Sequence, residues 1–328
     1  MIAFERIGYS VGIPPRVGSW NDCMRYWQTL TDDQLLSVEL EIDDPTRLDH
    51  LVTKIPPNFE ESHVEFKYDL RGSGREEFSC VHGHHKHLAG FVMRKDDARW
   101  LVGHMCAASI YGERFEEYTA DFDAAVNRRD TARKRREIEQ LTIPFKAWLD
   151  SVLRSNVFEL FESVRKQLSG RLPWVWENAP HAGDFGMPVD GVRVPARLFD
   201  KKNDPKASFA RIVADMGTLT TTFIDNGDLS AENVSRIKRV LEGLIGRTEA
   251  VFVELREVED FFQPAVLEMV CRIANANDNP RKRTYTAGLL ALTCKKGGRD
   301  KAMVQAPHNF RLPNRAVLDA LKEALRVL

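Results

Sequence analysis

Long apolar runs are missing from this chain. No stretch approaches the about 18 consecutive apolar residues of a membrane-spanning helix, so no spanning segment is expected. The N-terminus, MIAFERIGYSVGIPP, has no basic start, apolar centre or small-residue cleavage site, so a signal peptide is not expected either. Cysteine is sparse. Cys23, Cys80, Cys106, Cys271 and Cys294 are scattered through 328 residues and make no disulfide framework. The expected setting is reducing and cytoplasmic, which keeps Cys80 and Cys106 available as thiolates. An excess of either charge is lacking too. The 47 basic and 48 acidic residues leave a net charge of −1, and 43% of residues are apolar. That excludes a globally basic or a globally disordered protein, while leaving room for local patches. No Walker A motif, Gly-x-Gly-x-x-Gly, Gly-x-Ser-x-Gly or kinase signature appears.

What is present predicts an α+β fold: a small N-terminal unit with a hairpin, followed by a mainly α-helical remainder. Three regions are expected, over 1–111, 112–204 and 205–328. LLSVELEI (Leu35 to Ile42) and HVEFKYDL (His63 to Leu70) alternate and read as strands. HLAGFVM and ARWLV, joined by the polar RKDD, read as a hairpin. Phe115, Tyr118, Phe122 and Ala125 fall on one face of a helix, and a second helix is expected to start at Pro144. Leu172 to Asp204 is rich in proline and glycine and reads as a long loop, with VRVPARLF as a possible strand. Helices are expected from Asp204-Pro205, Ser230 and Pro264, and at the C-terminus behind an Asn314 cap. TYTAGLLALTC reads as a strand or a buried helix.

Chemistry concentrates in CVHGHHKHLAG. Four of the nine histidines, His82, His84, His85 and His87, lie within six residues, just after Cys80. Beyond the expected hairpin, VGHMC carries His104 and Cys106 into a helix start, where the dipole favours thiolate. A turn, a hairpin and a helix N-terminus bring two pairs of soft ligands to one tetrahedral zinc ion (Zn2+). The expected ligands are Cys80, His82, His104 and Cys106. His85 or His87 is an alternate for His82, and His104 may instead lie in the outer shell. These residues resemble the zinc-binding treble-clef knuckles of the form Cys-x-x-Cys-Gly-His with a hairpin closing on Val-Gly-x-x-Cys. Here His82-Gly83-His84 stands where Cys-Gly-His would be, and Val102 to Cys106 matches the second half. The resemblance covers residues 78–110 and implies a zinc module rather than an activity. The His-x-His-x-Asp-His pattern of two-metal hydrolases fails at Lys86, whose ammonium has the wrong charge beside two dications.

NRRDTARKRRE places Arg128, Arg129, Arg133, Lys134, Arg135 and Arg136 within nine residues, and a second cluster is Arg281, Lys282 and Arg283. Clustered cations suit a phosphate backbone, and they equally suit a solvated helix or pairing with the acidic stretch Asp32 to Glu77, where acids outnumber bases 13 to 5. Trp174, Trp176, His181, Asp184 and Phe185 in the Pro/Gly-rich segment read either as core plugs or as a ligand pocket. The functional expectation is a zinc-containing cytoplasmic binding or regulatory protein that contacts nucleic acid or an acidic protein through its basic helix. The alternatives are a metal-dependent hydrolase built on the histidines, and a helical scaffold that self-associates through residues 112–169.

Overall fold

Thr31 starts a helix where alternation predicts a strand. Gln34 N donates to Thr31 Oγ1 at 3.3 Å and Thr31 N donates to Gln34 Oε1 at 2.8 Å, a closed capping box. Asp32 and Asp33 add negative charge to the first turn. These local signals outweigh the two-residue period, and residues Asp32–Ser37 are helical, with Leu35 buried. The computed structural model describes residues 26–83, 85–181, 192–225, 227–278, 283–297 and 300–327. By internal packing the chain divides into two units, Met1–Arg133 and Lys134–Leu328. The expected boundaries were at 111 and 204.

In the first unit, α1 (Tyr26–Thr29) and α2 (Asp32–Ser37) precede a three-stranded antiparallel sheet. Its strands are β1 (His63–Asp69), β4 (Ala89–Lys95) and β5 (Ala98–Gly103), in the order β1-β4-β5. A short ribbon, β2 (Phe78–Ser79) with β3 (Lys86–His87), lies between β1 and β4 in sequence. Helix α3 (His104–Tyr111) follows β5 directly, and α4 (Arg114–Leu153) follows α3. The expected strand at HVEFKYDL and the expected hairpin are present. The β4–β5 turn is the two residues Asp96 and Asp97. Asp96 sits at φ 51°, a left-handed conformation that aspartate tolerates better than most residues.

Both faces of this sheet are covered. Phe91, Met93, Trp100 and Val102 pack with Trp27, Leu35, Tyr111, Phe115, Tyr118 and Phe122. On the other face Tyr68, Val92 and Leu101 form a smaller cluster with Ile42, Leu48 and Phe66. The apolar helix stripe read from the sequence is therefore a core stripe.

The β1–β4 pairing carries a bulge between Val64 and Phe66. A bulge re-aims one side chain, and here that residue is Glu65. Its carboxylate accepts from Arg94 at 2.8 Å and from Arg99 at 2.6 and 2.8 Å. Arg94 and Arg99 are cross-strand partners. Two like charges directly opposite repel, and the buried carboxylate between them reverses the sign. Burial alone would raise the Glu65 pKa, but the hydrogen bonds and charges of Arg99 and Arg94 win and hold it below the ordinary carboxylate value. His63 stacks on Tyr26 with ring centroids 4.0 Å apart. Burial lowers its pKa from 6.5 to about 4, against the pull of Glu65 and helped by Arg94 and Arg99.

The second unit is helical around one large core. It takes up the C-terminal part of α4, then α5 (Val157–Arg171), α6 (Pro173–Asn178), α7 (Ala196–Phe199), α8 (Pro205–Leu219), α9 (Ala231–Phe261) and α10 (Pro264–Asn277). An antiparallel meander follows: β6 (Arg283–Gly288), β7 (Ala291–Lys296) and β8 (Asp300–Gln305). The last helix is α11 (Ala316–Val327). Asp204 caps α8 by accepting from Ala207 N at 2.9 Å, Ser230 caps α9 from Asn233 N at 3.1 Å, and Asn314 accepts from Ala316 N at 2.9 Å. Three expectations are corrected. Pro144 does not start a helix but lies inside α4, and the break falls later, between Leu153 and Val157. VRVPARLF is not a strand: Ala196–Phe199 is a single helical turn that buries Leu198 and Phe199. TYTAGLLALTC is a hairpin turning at Leu289 and Leu290.

Two outcomes follow for the first unit. Replacing Glu65 with Ala leaves two half-buried guanidinium groups opposed, and is expected to cost about 3 kcal/mol, read as a lower urea midpoint by tryptophan fluorescence. The second outcome concerns acid. The fold keeps His63 neutral, whereas the unfolded chain binds a proton below pH 6.5. His63's contribution is therefore complete above pH 6.5 and is lost as pH falls towards 4. Glu65 acts in the same direction at lower pH, where its depressed pKa is crossed. Acidification from pH 7 to 4 should destabilise the unit by roughly 3 kcal/mol through His63. His63→Phe should flatten the urea midpoint over that pH range.

Candidate metal centre

The turn from Cys80 to His85 joins β2 to β3. Cys80 N donates to His85 O at 2.8 Å and closes it, and Val81 N donates to Leu101 O at 3.3 Å and ties it to β5. Gly83 sits at φ 73°. That conformation is costly for a side chain, and a Cβ there would also approach the His85 ring at 3.1 Å. Cys80 ends up 1% exposed in the core of the first unit.

Cys106 arrives from the other side of the hairpin. It lies in the first turn of α3, behind Gly103, and is 8% exposed. Its Sγ donates to His82 O at 3.5 Å, and the Cys80 thiol lies beside it, close enough to act on its pKa. Two cysteines 26 positions apart thus meet thiol to thiol. Burial first, and then the Cys80 thiol beside it, push the Cys106 pKa up. The expected preference for thiolate at this helix start is therefore outweighed in the ion-free chain.

The histidines separate into distinct environments. His82 and His85 are exposed on the turn, and His84 lies outside the described residues. His104 lays its ring near Phe91 (6.0 Å) and edge-on to Phe115 (5.5 Å). His87 is half-buried. Its Nδ1 is 3.2 Å from Tyr68 Oη, and its Nε2 is buried with no hydrogen-bond partner. Burial lowers the His87 pKa, opposed by Glu77. Among the described residues, no three His, Cys, Asp or Glu side chains converge into a ready-made metal cage. The structure brings Cys80 and Cys106 together, and it leaves His104 on an aromatic surface.

The ring of His87 lies over Gly103, and the Tyr68 hydroxyl lies near Gly90. Gly90 and Gly103 face each other across β4 and β5. A Cβ on Gly103 would stand 3.0 Å from His87 Cδ2, and one on Gly90 would be 2.5 Å from Val102 O and 3.0 Å from Tyr68 Oη. Tyr68 is also within electrostatic reach of Cys80, which helps burial raise its pKa. Tyr68, Gly90 and Gly103 were not singled out from the sequence. The available signal was a glycine at each end of a strand pair otherwise built of large apolar residues.

Half of the basic run is absorbed by the fold. Arg128 pairs with Asp32 at 2.6 Å, and Arg129 lies 3.7 Å from both Glu41 and Asp130. Arg135 bonds Glu139 at 2.9 Å and donates to the carbonyls of Gly227 (3.0 Å) and Ile224. Arg133, which pairs with Asp130 at 3.2 Å, remains exposed, as do Lys134 and Arg136. In the second cluster Arg283 lies 3.5 Å from Asp278, while Arg281 and Lys282 are outside the described residues. Trp176 packs in the core against Phe199 at 5.5 Å, and Trp174 packs near Tyr285 at 6.3 Å. Asp184 and Phe185 lie outside the described residues. No helix among the described residues is long and apolar enough to cross a membrane.

Comparison with known proteins gives no match to a family model, a curated protein or a solved structure.

The basic run makes a clean contrast possible. Arg135→Ala strips the donor from two backbone carbonyls and is expected to cost about 1–3 kcal/mol. Arg136→Ala, on an exposed position, should stay within about 0.5 kcal/mol of the parent. Thermal unfolding of the two variants checks both values.

Proposed function

We propose that the protein is a zinc-containing binding or regulatory protein. Its N-terminal unit is organised by a zinc knuckle, and its basic helix segment contacts nucleic acid or an acidic protein. One observation supports the metal above the others: Cys80 and Cys106 meet thiol to thiol, one from the turn before the hairpin and one from the helix after it. Knuckle, hairpin and helix is the order of a treble clef. Gly83, at φ 73°, occupies the place of the knuckle glycine.

The donor chemistry suits zinc. Two buried thiols match its preference for soft ligands. When bound, zinc supplies a cross-link and a positive charge that favours both thiolates over thiols. The remaining work falls to this chain. The Cys80–His85 turn delivers Cys80, α3 carries Cys106 in its first turn, and the fold buries both cysteines. Arg133, Lys134 and Arg136 are the exposed cations of the basic run, so the proposed partner surface is narrower than the six residues that the run contains.

Elemental analysis of protein purified without added metal should find about one zinc per chain. Cys80→Ser and Cys106→Ser should each abolish it and unfold the first unit, seen as loss of near-ultraviolet circular dichroism. A parent protein free of zinc, or a Cys80→Ser variant that keeps it, would sink the reading. For the partner surface, neutralising Arg133, Lys134 and Arg136 together should lower the slope of log affinity against log salt by about 3 in oligonucleotide anisotropy titrations. An unchanged slope would remove the basic helix from the interface.

A further inference from the structure

We propose that the groove between α5 and the start of α8 binds a small molecule through a diphosphate group. This is independent of the metal reading, because the groove belongs wholly to the second unit. It has a volume of about 830 Å³, and a recess of about 270 Å³ shares Glu162, Lys166 and Asp204 with it. Space of that order suits a small-molecule site. The first support is charge. Five cations line the two cavities, Arg165, Lys166, Arg171, Lys201 and Lys206, against three carboxylates. Each carboxylate is already engaged. Glu159 accepts from Lys206 at 2.5 Å, Glu162 from Arg165 at 2.7 Å, and Asp204 from Ala207 N at 2.9 Å. Lys166, Arg171 and Lys201 have no carboxylate partner among the described residues. Arg171 donates to Met303 O at 3.0 Å, a contact that leaves its charge unneutralised. A diphosphate ester, with a charge of roughly −3, balances these three cations.

The second support is how the cations are held. Arg165 is 7% exposed, and its guanidinium lies 5.8 Å from the ring centroids of Phe161 and Trp176. Its Nη1 donates to Asn203 O at 2.6 Å and its Nη2 to Asp200 O at 2.5 Å, while its Nε is buried without a partner. The loop that carries Lys201 is therefore pinned to α5 on both sides of that lysine. Lys166 lines both the groove and the recess. Arg171 follows it on the same helix, about 7.5 Å further along the axis, a spacing that two long side chains close around a diphosphate. Holding the groups in place before the ligand arrives lowers the cost of binding. The third support is Gly170, which lines the groove within α5. Glycine in a helix is unfavourable relative to alanine. A Cβ at Gly170 would meet nothing within 4 Å, so the missing side chain leaves open space beside Lys166 and Arg171.

Isothermal titration calorimetry of the full-length protein with sodium pyrophosphate, at constant ionic strength, tests this. The parent should bind one pyrophosphate per chain. Lys166→Gln and Arg171→Gln should each weaken binding by about 10-fold. Gly170→Phe fills the groove without changing its charge, and should abolish binding while leaving the thermal midpoint unchanged or higher. Lys54→Gln, at an exposed position of the first unit, should change neither. No saturable binding by the parent up to millimolar pyrophosphate overturns the proposal. Heat from metal chelation or from general surface charge would survive Gly170→Phe, and binding that persists in that variant overturns it too. The same titrations with a single-stranded oligonucleotide separate a small ligand from a nucleic-acid backbone. Oligonucleotide binding that is lost in Gly170→Phe together with pyrophosphate binding assigns the groove to nucleic acid and overturns the small-molecule assignment.

Discussion

The register of the β4–β5 hairpin is the constraint on which the N-terminal unit depends. A slip of one residue would send Phe91, Met93, Trp100 and Val102 to the opposite face. It would also separate Arg94 from Arg99 and Gly90 from Gly103. Nothing in the turn alone enforces this pairing, since Asp96 and Asp97 are both polar and only Asp96 adopts a left-handed conformation. The enforcement comes from Glu65. Its carboxylate is aimed by a bulge and bridges the two opposed arginines, so a register that is electrostatically poor without it becomes the stable one. Strand β1 supplies the charge, and β4 and β5 supply the arginines, so a single buried carboxylate fixes the order and alignment of all three strands. Apolar burial favours the register that sends the large side chains of β4 and β5 into the main core, and the charge that the bulge places between the two arginines favours the same register.

The same alignment builds the candidate centre. At the end of the hairpin away from the turn, the pairing puts one glycine opposite another and opens the space for His87 and Tyr68. Strand β5 then runs without a linker into α3, so the position of Cys106 follows from the position of Gly103. Cys80 is tied to the same strand through Val81 and Leu101. Arginine pair and thiol pair are therefore two ends of one rigid element. This explains how two cysteines from distant parts of the sequence come into contact with no covalent bond between them.

Much of this was legible in the sequence, and the reasons for the exceptions are physical. The hairpin and the helix after it were readable because alternation and turn residues agree there. The caps at Asp204, Ser230 and Asn314 were readable because they act over three residues or fewer. The helix at Asp32 was missed because alternation was weighed above the Thr31–Gln34 capping box. Pro144 was misplaced because proline inside a helix and proline at its start look alike without knowing how strongly the flanking residues pack. Here Ile138 before it and Phe145, Leu149 and Val152 after it are all buried. The arginine run was readable as charge, but its division between structural and exposed members was not. Arg128 depends on Asp32, and Arg135 on carbonyls near residue 225; these partners are distant in sequence and are set only by packing. His87 looked like one histidine among four, because what distinguishes it is Tyr68, and that contact exists only after β1 pairs with β4.

Burial without satisfaction is the sharpest physical feature of the centre. A buried ring nitrogen with no partner costs about 1–3 kcal/mol, and the unit carries that cost at His87 Nε2. An apolar side chain at that position would avoid it, since a sheet covered on both faces already has ample core. If the proposed zinc binds, it would favour thiolate over thiol at Cys80 and Cys106 and link the turn before the hairpin to the helix after it, and folding of the unit would then be coupled to metal occupancy.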